Sequence, residues 1–236
     1  MTPIFETVPA EFDCARCVPG ECGTDLLRRF DALRPLQAFV LAAGEDPAPL
    51  LAHLQTERPG LFEWSPLQEG PPTWRIEIAR RQSRPGEARA ITEALEWDHD
   101  RLDRLERMAF DAWAAGDLRE AEGAFGLFAH GLRRHIGFEE ALIFPEFERR
   151  TGVATGSGPT MTMRTEHRLI LALVAALELA IESDIASVGL LRQHLQDVLR
   201  SHNRKEEEVL YPVTDSVLTR TQRDDLMRRV QLFHSA

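Results

Sequence analysis

The stretch His135-Ile-Gly-Phe-Glu139-Glu140-Ala-Leu-Ile-Phe-Pro145 returns 67 residues later as His202-Asn-Arg-Lys-Glu206-Glu207-Glu208-Val-Leu-Tyr-Pro212. Each copy has a His and a Glu four positions apart, a second Glu directly after, and a Pro ten positions after the His. Four residues turn a helix by about 400°, so each His lies on the same face as its Glu. A nitrogen donor and a carboxylate donor, presented twice, predict a metal site for two ions.

Two single histidines repeat at nearly the same interval. His99 and His167 are 68 residues apart, and each directly follows an acidic residue, Asp98 or Glu166. The second part of the chain is therefore interpreted as a duplicated pair of helices, each pair supplying one single His and one His/Glu pair. In an antiparallel four-helix bundle, all six side chains can meet at one level of the core.

Apolar residues spaced by threes and fours predict four long helices, at about 88–115, 118–148, 161–182 and 184–215. Asp184 is the predicted cap of the fourth helix. The apolar stripe of the second helix is predicted to end at Leu142, and that of the fourth at Val209. A shorter amphipathic helix closes the chain, with Leu226, Val230 and Phe233 on one face.

The first part of the chain has a different character, with short elements and 10 of the 14 prolines before residue 82. Strands are predicted at 12–15, 38–42, 61–67 and 73–79, and helices at 24–33 and 46–57. The order β-α-β-α-β-β is typical of a small two-layer α/β sandwich. The predicted organisation is an α/β domain at 1–82, a linker at 83–89, an up-down four-helix bundle at 90–218 and a terminal helix at 219–236.

Residues 13–80 resemble a small bacterial domain of unknown function related to the TusA-like fold of sulfur carriers. The resemblance rests on Gly44-Glu-Asp-Pro47, Phe62-Glu-Trp64 and Gly70-Pro-Pro-Thr-Trp74-Arg-Ile-Glu-Ile. Those carriers have a Cys-Pro-x-Pro motif, whereas this chain has Cys17-Val-Pro-Gly-Glu-Cys22, so the resemblance does not imply sulfur transfer. With Cys14, the spacing C-x2-C-x4-C suits a metal or redox chemistry, but we interpret all three cysteines as reduced thiols without a ligand role.

Burying four imidazoles and two carboxylates is costly unless cations compensate them. Two carboxylates can bridge two metal ions about 3.5–4 Å apart, and two imidazoles can then complete each ion. These donors suit iron, manganese or zinc better than calcium. Glu140, Glu207 and Glu208 lie off the ligand line of their helices, so we expect them in solvent or just outside the ligands. Tyr211 is interpreted as a packing residue.

The motif set over 91–213 is similar to the hemerythrin-like cation-binding family, whose fold is a four-helix bundle with a non-haem di-iron centre. The resemblance implies six metal ligands, which are His99, His135, Glu139, His167, His202 and Glu206. It implies two iron ions bridged by oxide or hydroxide, with manganese or zinc as alternatives. Oxygen carriers of the family have a fifth His where this chain has Leu171. The four-His pattern is similar to members implicated in iron–sulfur repair and nitric oxide handling.

Composition excludes some functions. A net charge of −10 argues against a nucleic-acid surface, because phosphate binding needs clustered Lys and Arg. We expect no membrane span, no secretory signal and a cytoplasmic location. The expected ligand is a diatomic molecule such as O2 or NO, and the expected partner is an iron–sulfur or redox protein. The alternatives are an enzyme that reduces peroxide or NO, and an interaction protein that binds metal for stability.

Overall fold

The computed structural model describes residues 10–18, 20–34, 37–58, 61–68, 70–81, 90–183, 187–231 and 233. The chain divides into two compact units, Met1–Ala88 and Arg89–Ala236. The composition change at 82–87 and the linker at 83–89 fall outside the described residues. Those boundaries, and a separate terminal segment from 219, therefore stay proposals.

The first unit is built on a mixed four-stranded sheet in the order β1-β2-β4-β3. Its strands are β1 (Ala10–Asp13), β2 (Ala38–Ala43), β3 (Phe62–Gln68) and β4 (Trp74–Arg80). β1 and β2 are parallel, and the other pairs are antiparallel. Helices α1 (Cys22–Asp31) and α2 (Ala48–Glu57) share a core with one face of the sheet, at Leu26, Phe30, Phe39, Leu41, Leu51, Leu54, Phe62, Ile76 and Ile78. The predicted β-α-β-α-β-β order is confirmed.

The first strand ends earlier than predicted. The carboxylate of Asp13 accepts a hydrogen bond of 2.9 Å from the backbone N–H of Ala15, and this side-chain cap starts a 3₁₀ turn over Cys14–Arg16. Asp side chains favour such local bonds over strand pairing. Residues 14 and 15 therefore belong to a turn, and the prediction of a strand over 12–15 is wrong for them.

The second unit consists of four long helical stretches, which confirms the predicted all-α bundle. The first is α3 (Ile91–Ala114), and the second comprises α4 (Leu118–Phe138) and α5 (Phe144–Thr151). The third is α6 (Gly158–Ser183), and the fourth comprises α7 (Val188–Lys205) and α8 (Tyr211–Val217). A final helix, α9 (Arg220–Gln231), closes the unit. The predicted cap at Asp184 lies outside the described residues.

The second and fourth stretches are each interrupted by a π-helical turn, at Glu139–Ile143 and Glu206–Leu210. In each turn the backbone N–H five residues on bonds back to the carbonyl of the first Glu, from Phe144 to Glu139 and from Tyr211 to Glu206. A proline follows each turn, and proline lacks an N–H and crowds the carbonyl four residues before it. The repeated Pro thus marks the place where one extra residue enters the helix.

The extra residue rotates the buried face of each helix by about 100°. Ile143 and Leu210 are fully buried, whereas Leu142 is only partly buried and Val209 is 52% exposed. The prediction of Val209 as a core residue is therefore wrong, because it extended a constant 3.6-residue period through the π turn.

Contacts from the end of the chain close this unit. The carboxylate of Asp215 accepts hydrogen bonds of 2.9 and 3.0 Å from the backbone N–H groups of Ile91 and Thr92, at the start of α3. Leu226 and Val230 of α9 are buried, and Phe233 packs against the same cluster, as predicted. In the described part of the chain, no helix is long and apolar enough to cross a bilayer.

Candidate metal centre

The six predicted ligand residues lie together and are all buried in the second unit. They form two overlapping groups whose ligand atoms lie within 4.8 Å of one another. One group holds His99, His135 and Glu206; the other holds Glu139, His167, His202 and Glu206. The structure thus brings all six residues together at one level of the bundle.

Each helix pair presents two imidazoles edge to edge. The Nε2 atoms of His99 and His135 are 3.1 Å apart, and those of His167 and His202 are also 3.1 Å apart. α3 and α4 supply the first pair, and α6 and α7 supply the second. The two halves of the sequence repeat therefore form two equivalent halves of the site.

The two central carboxylates cross between these halves. Glu139 Oε2 lies 3.6 Å from Nε2 of His135 in its own half and 3.3 Å from Nε2 of His167 in the other. Glu206 lies 3.1 Å from Nε2 of His202 and 3.5 Å from Nε2 of His99. Each carboxylate therefore spans both imidazole pairs, as a bridging ligand must.

A second carboxylate holds the outer nitrogen of every imidazole. The Nδ1 atoms lie 2.6–2.9 Å from carboxylate oxygens, in the pairs His99–Glu207, His135–Asp98, His167–Glu140 and His202–Glu166. A carboxylate accepts, so the geometry places the proton on Nδ1 and leaves the Nε2 lone pair directed inward. Such carboxylate–imidazole pairs commonly orient metal-binding histidines.

The outer carboxylates differ between the two halves. Asp98 is buried and accepts a 2.7 Å bond from Nε of Arg101, a fully buried guanidinium. Burial raises the pKa of Asp98, but the charges of Arg101 and His135 outweigh burial and hold this pKa well below its usual range. In the other half, Glu166 is partly exposed and pairs with Lys205. Of the four outer carboxylates, only Asp98 in the His99/His135 half is buried.

The centre shows the need for a cation. Glu139 Oε2 and Glu206 Oε1 are buried without a hydrogen-bond partner among the described residues. Imidazole Nε2 atoms lie at ion-pair distance from both oxygens, and they can donate to these oxygens only when the imidazole is protonated. Burial lowers the pKa of His135, yet Glu139 and Asp98 override burial and raise it to about 10. Burial also lowers the pKa of His202, but Glu206 overrides burial and raises it to about 9. Protons or metal ions must therefore neutralise the site.

Tyr211 places a hydroxyl in the middle of the site. This fully buried group donates to Glu139 at 2.6 Å and lies 3.1 Å from Glu206 and 3.4 Å from Nε2 of both His99 and His135. The packing interpretation was incomplete, since it assigned Tyr211 no polar contact. The equivalent residue of the other half is Phe144, whose ring stacks on His167 with centroids 5.5 Å apart.

The helical unit matches a known family of cation-binding domains. Residues 90–214 match the model described as the hemerythrin HHE cation binding domain. The chain belongs to this hemerythrin family. Residues 11–80 match a second model, described as an uncharacterized conserved protein, DUF2249. Comparisons with curated proteins and with solved structures gave no significant match.

The two matches confirm the two-part resemblance drawn from the sequence. The hemerythrin match covers all six predicted ligand residues and implies a cation-binding site in the bundle. The N-terminal match confirms a domain of unknown function, and its relation to sulfur carriers stays a prediction.

An apolar cavity opens beside three of the imidazoles of the hemerythrin domain. It reaches His99, His135 and His202, and its apolar walls are Leu102, Phe128, Leu132, Ile136, Ile170 and Leu199. Asp103 and Asn203 are its further polar lining residues. Leu171, which occupies the position of the fifth His of the oxygen carriers, is half-buried and is not among the residues that line this cavity. The cavity, of about 10 Å³, has room for about one water-sized molecule next to the imidazole nitrogens.

Sequence reasoning missed two kinds of site residue. It did not pair Asp98 and Glu166 with His135 and His202, although an acidic residue before each single His repeats in the sequence. It also missed the hydroxyl of Tyr211. A proline inside a helical pattern was the available signal, because helical irregularities at proline change which side chains face inward.

Proposed function

We propose that the hemerythrin domain holds two iron ions and binds a small diatomic molecule, O2 or NO, beside them. The observation that carries this proposal is the convergence of four inward Nε2 lone pairs and two spanning carboxylates next to an apolar cavity. His99, His135, Glu139, His167, His202 and Glu206 would hold the ions.

Imidazole and carboxylate donors support iron, with manganese or zinc as alternatives, and the absence of thiolates argues against a structural zinc site. Bound iron would supply reversible electron exchange and an open position for the diatomic molecule. Four imidazoles rather than five leave room for such a position. The protein would then serve in stress sensing or iron–sulfur repair, with an iron–sulfur or redox protein as partner. A cytoplasmic location stays a prediction.

The residues around the ligands have separate tasks in this proposal. The four outer carboxylates orient the imidazoles, and Arg101 keeps Asp98 ionised. The apolar walls of the cavity would favour small uncharged molecules over charged ones. Tyr211 directs an O–H group at the carboxylate that spans the two halves.

That O–H group supports one alternative, an enzyme that reduces peroxide or NO, because both reductions consume protons. A metal-stabilised interaction protein is the other alternative. Steady turnover of peroxide or NO with an added reductant would favour the enzyme. Stable ligand-dependent spectra without turnover would favour a sensor, and metal that alters only stability would favour an interaction protein.

The decisive experiment is metal analysis of protein purified from its own host, followed by reconstitution of metal-free protein with ferrous iron. We expect two irons per chain and visible bands that change with O2, azide or NO. Metal content well below one per chain that reconstitution does not raise would contradict the proposal.

A carboxylate series tests the ligand assignment. We expect Glu139→Ala to abolish two-metal binding, because this carboxylate spans both imidazole pairs. Glu140→Ala should weaken binding by about 10–100-fold, the usual effect of losing an outer partner of a ligand. Glu208→Ala is the matched control, since its carboxylate is 59% exposed and pairs with Arg204. Two irons and unaltered spectra in Glu139→Ala would show that this carboxylate does not bridge.

A further inference from the structure

The three cysteines of the first unit form a cluster that the metal centre does not use. Cys14 opens the 3₁₀ turn, Cys17 directly follows that turn, and Cys22 is the first residue of α1. The Sγ atoms of Cys14 and Cys22 are 3.1 Å apart, about 1 Å more than a disulfide bond of about 2.05 Å. All three thiols are half-buried, and Cys14 packs partly against the core of the unit. Small rotations of two side chains would therefore bring Cys14 and Cys22 to bonding distance.

The surroundings favour redox chemistry over metal binding at this cluster. Among the described residues, the His, Cys, Asp and Glu groups compact enough to hold an ion lie in the second unit. Burial and the neighbouring thiols raise the pKa of Cys17 and of Cys22 to about 11. Asp13 and Asp25 add negative charge nearby. A metal ion would need several of these thiols as thiolates at once, which this environment disfavours, whereas exchange needs only one thiolate at a time.

We propose that Cys14 and Cys22 are a thiol–disulfide exchange site, which forms a reversible internal disulfide with low-molecular-weight disulfides as its substrates. We assign Cys14 as the attacking residue because the S–H of Cys22 donates to its sulfur, which opposes the rise in the Cys14 pKa that burial causes. Cys22 is the resolving residue, because it lies within 3.1 Å of the sulfur that it must attack. Cys17 stays reduced.

The exchange balances in two steps. The Cys14 thiolate attacks one sulfur of the small disulfide, the S–S bond breaks, and one small thiolate leaves and takes up a proton. Cys22 then gives its proton to solvent and attacks the Cys14 sulfur, which releases the second small thiolate. Two protein thiols are oxidised, and one small disulfide is reduced to two thiols. An excess of small thiol reverses both steps.

The test treats the full-length chain with glutathione disulfide at mildly alkaline pH, followed by alkylation, trypsin digestion and mass spectrometry. Cleavage after Arg16 separates Cys14 from the peptide that carries Cys17 and Cys22. We expect two thiols to be lost per chain, one to remain alkylatable, and fragmentation to show a Cys14–Cys22 bond. Dithiothreitol should restore all three thiols.

Variants locate the site. Cys17→Ser should form the internal bond as the natural chain does, whereas Cys22→Ser should stop at a glutathione adduct on Cys14. Cys14→Ser should form at least 10-fold less internal disulfide than the natural chain does. The peptide map of the natural chain and the Cys17→Ser result stand even if another variant does not fold. A Cys14–Cys17 bond, a bond between two chains, or thiols protected by bound zinc or copper would overturn the proposal.

Discussion

Each buried imidazole of the metal centre divides its two nitrogens between two kinds of carboxylate. The Nδ1 atoms bond to outer carboxylates, and the Nε2 atoms face the spanning carboxylates of Glu139 and Glu206. A buried ion without compensation costs several kcal/mol, so the two fully buried central carboxylates require positive charge. At the scale of single residues, the site is therefore an anionic cage that its own hydrogen bonds hold open for cations.

Tyr211→Phe isolates one hydrogen bond in this cage. The hydroxyl donates to Glu139, and bonds to charged groups contribute about 1.5–3 kcal/mol. We expect metal-free Tyr211→Phe to lose stability of this order in urea unfolding. It should still bind the two irons of the proposed centre, because all six proposed ligands remain, but with shifted visible bands.

Thr214→Val is the matched control for Tyr211→Phe. Its buried hydroxyl lies on the same helix and donates to the backbone carbonyl of Leu210. It should lower stability by about 1 kcal/mol and leave the bands unchanged. Equal spectra for Tyr211→Phe and the natural chain would show that the hydroxyl does not act on the centre.

At the scale of the helices, the two π turns decide which side chains reach the core. Each turn begins at a spanning Glu. The residue that directly follows the turn, Phe144 or Tyr211, lies against the imidazoles. A regular helix would rotate these residues by about 100° away from their present direction. The turns therefore place the ring of Phe144 or Tyr211 beside an imidazole pair, while the spanning carboxylates follow their His by ordinary helical spacing.

Neighbouring residues test the π turn of the fourth stretch. Leu210 is 1% exposed and Val209 is 52% exposed. We expect Leu210→Ala to lower the free energy of unfolding by about 2–5 kcal/mol. Val209→Ala should change it by less than about 0.5 kcal/mol. Urea unfolding measures both, and the reverse order would indicate a regular helix at this point.

The start of α3 depends on a residue more than a hundred positions away. Ala90 precedes α3 and has no capping side chain, and Asp215 supplies the cap from the end of α8. We expect Asp215→Ala to cost about 0.5–2 kcal/mol in thermal or urea unfolding. Asp224→Ala, at a half-exposed position of α9, should cost less than about 0.5 kcal/mol. Equal losses of stability in the two variants would show that Asp215 does not cap α3.

The sequence predicted the positions of the helices and strands well. It predicted poorly which side chains face the core after each π turn. Periodicity located the long helices, because apolar spacing survives one extra residue, and the repeat located all six residues that the structure brings together. The rotation of the buried helix face after Glu139 and Glu206 was missed, because a fixed 3.6-residue period cannot represent a π turn. The Asp215 cap and the Asp98–His135 bond join distant segments, and local patterns do not encode such pairs.

For the whole molecule, the charge of the site links metal binding to pH. Without metal, the pKa values of His135 and His202 are raised from 6.5 to about 10 and about 9. Raised values mean that the folded state holds protons that the unfolded state releases. Their contribution to stability is full below about pH 6.5 and is lost as the pH rises through about 9–10. Asp98 and Glu139, whose pKa values are lowered, contribute in the opposite sense and lose their stabilisation in acid.

Bound metal should oppose the loss of stability that the metal-free protein shows as the pH rises. Metal-free protein is expected to lose stability between about pH 6.5 and 10, whereas iron-loaded protein should bind iron more tightly over the same range, because protons compete with metal for Nε2. Urea unfolding of both forms at several pH values measures the two slopes. Removal of the metal at pH 8 should also lower the melting temperature, since ligands of the folded state stabilise it. Parallel slopes would show that metal and protons do not share these imidazoles.

The crossing of the two spanning carboxylates has a mechanical consequence. Each imidazole pair belongs to one helical hairpin, while Glu139 and Glu206 reach into the opposite hairpin. Bound ions would thus add a link between two halves that a shared apolar core and the Asp215 cap already hold together. A backbone cut in the connection at 152–157 would then leave two fragments whose association is tighter with bound metal and weaker after a chelator removes it.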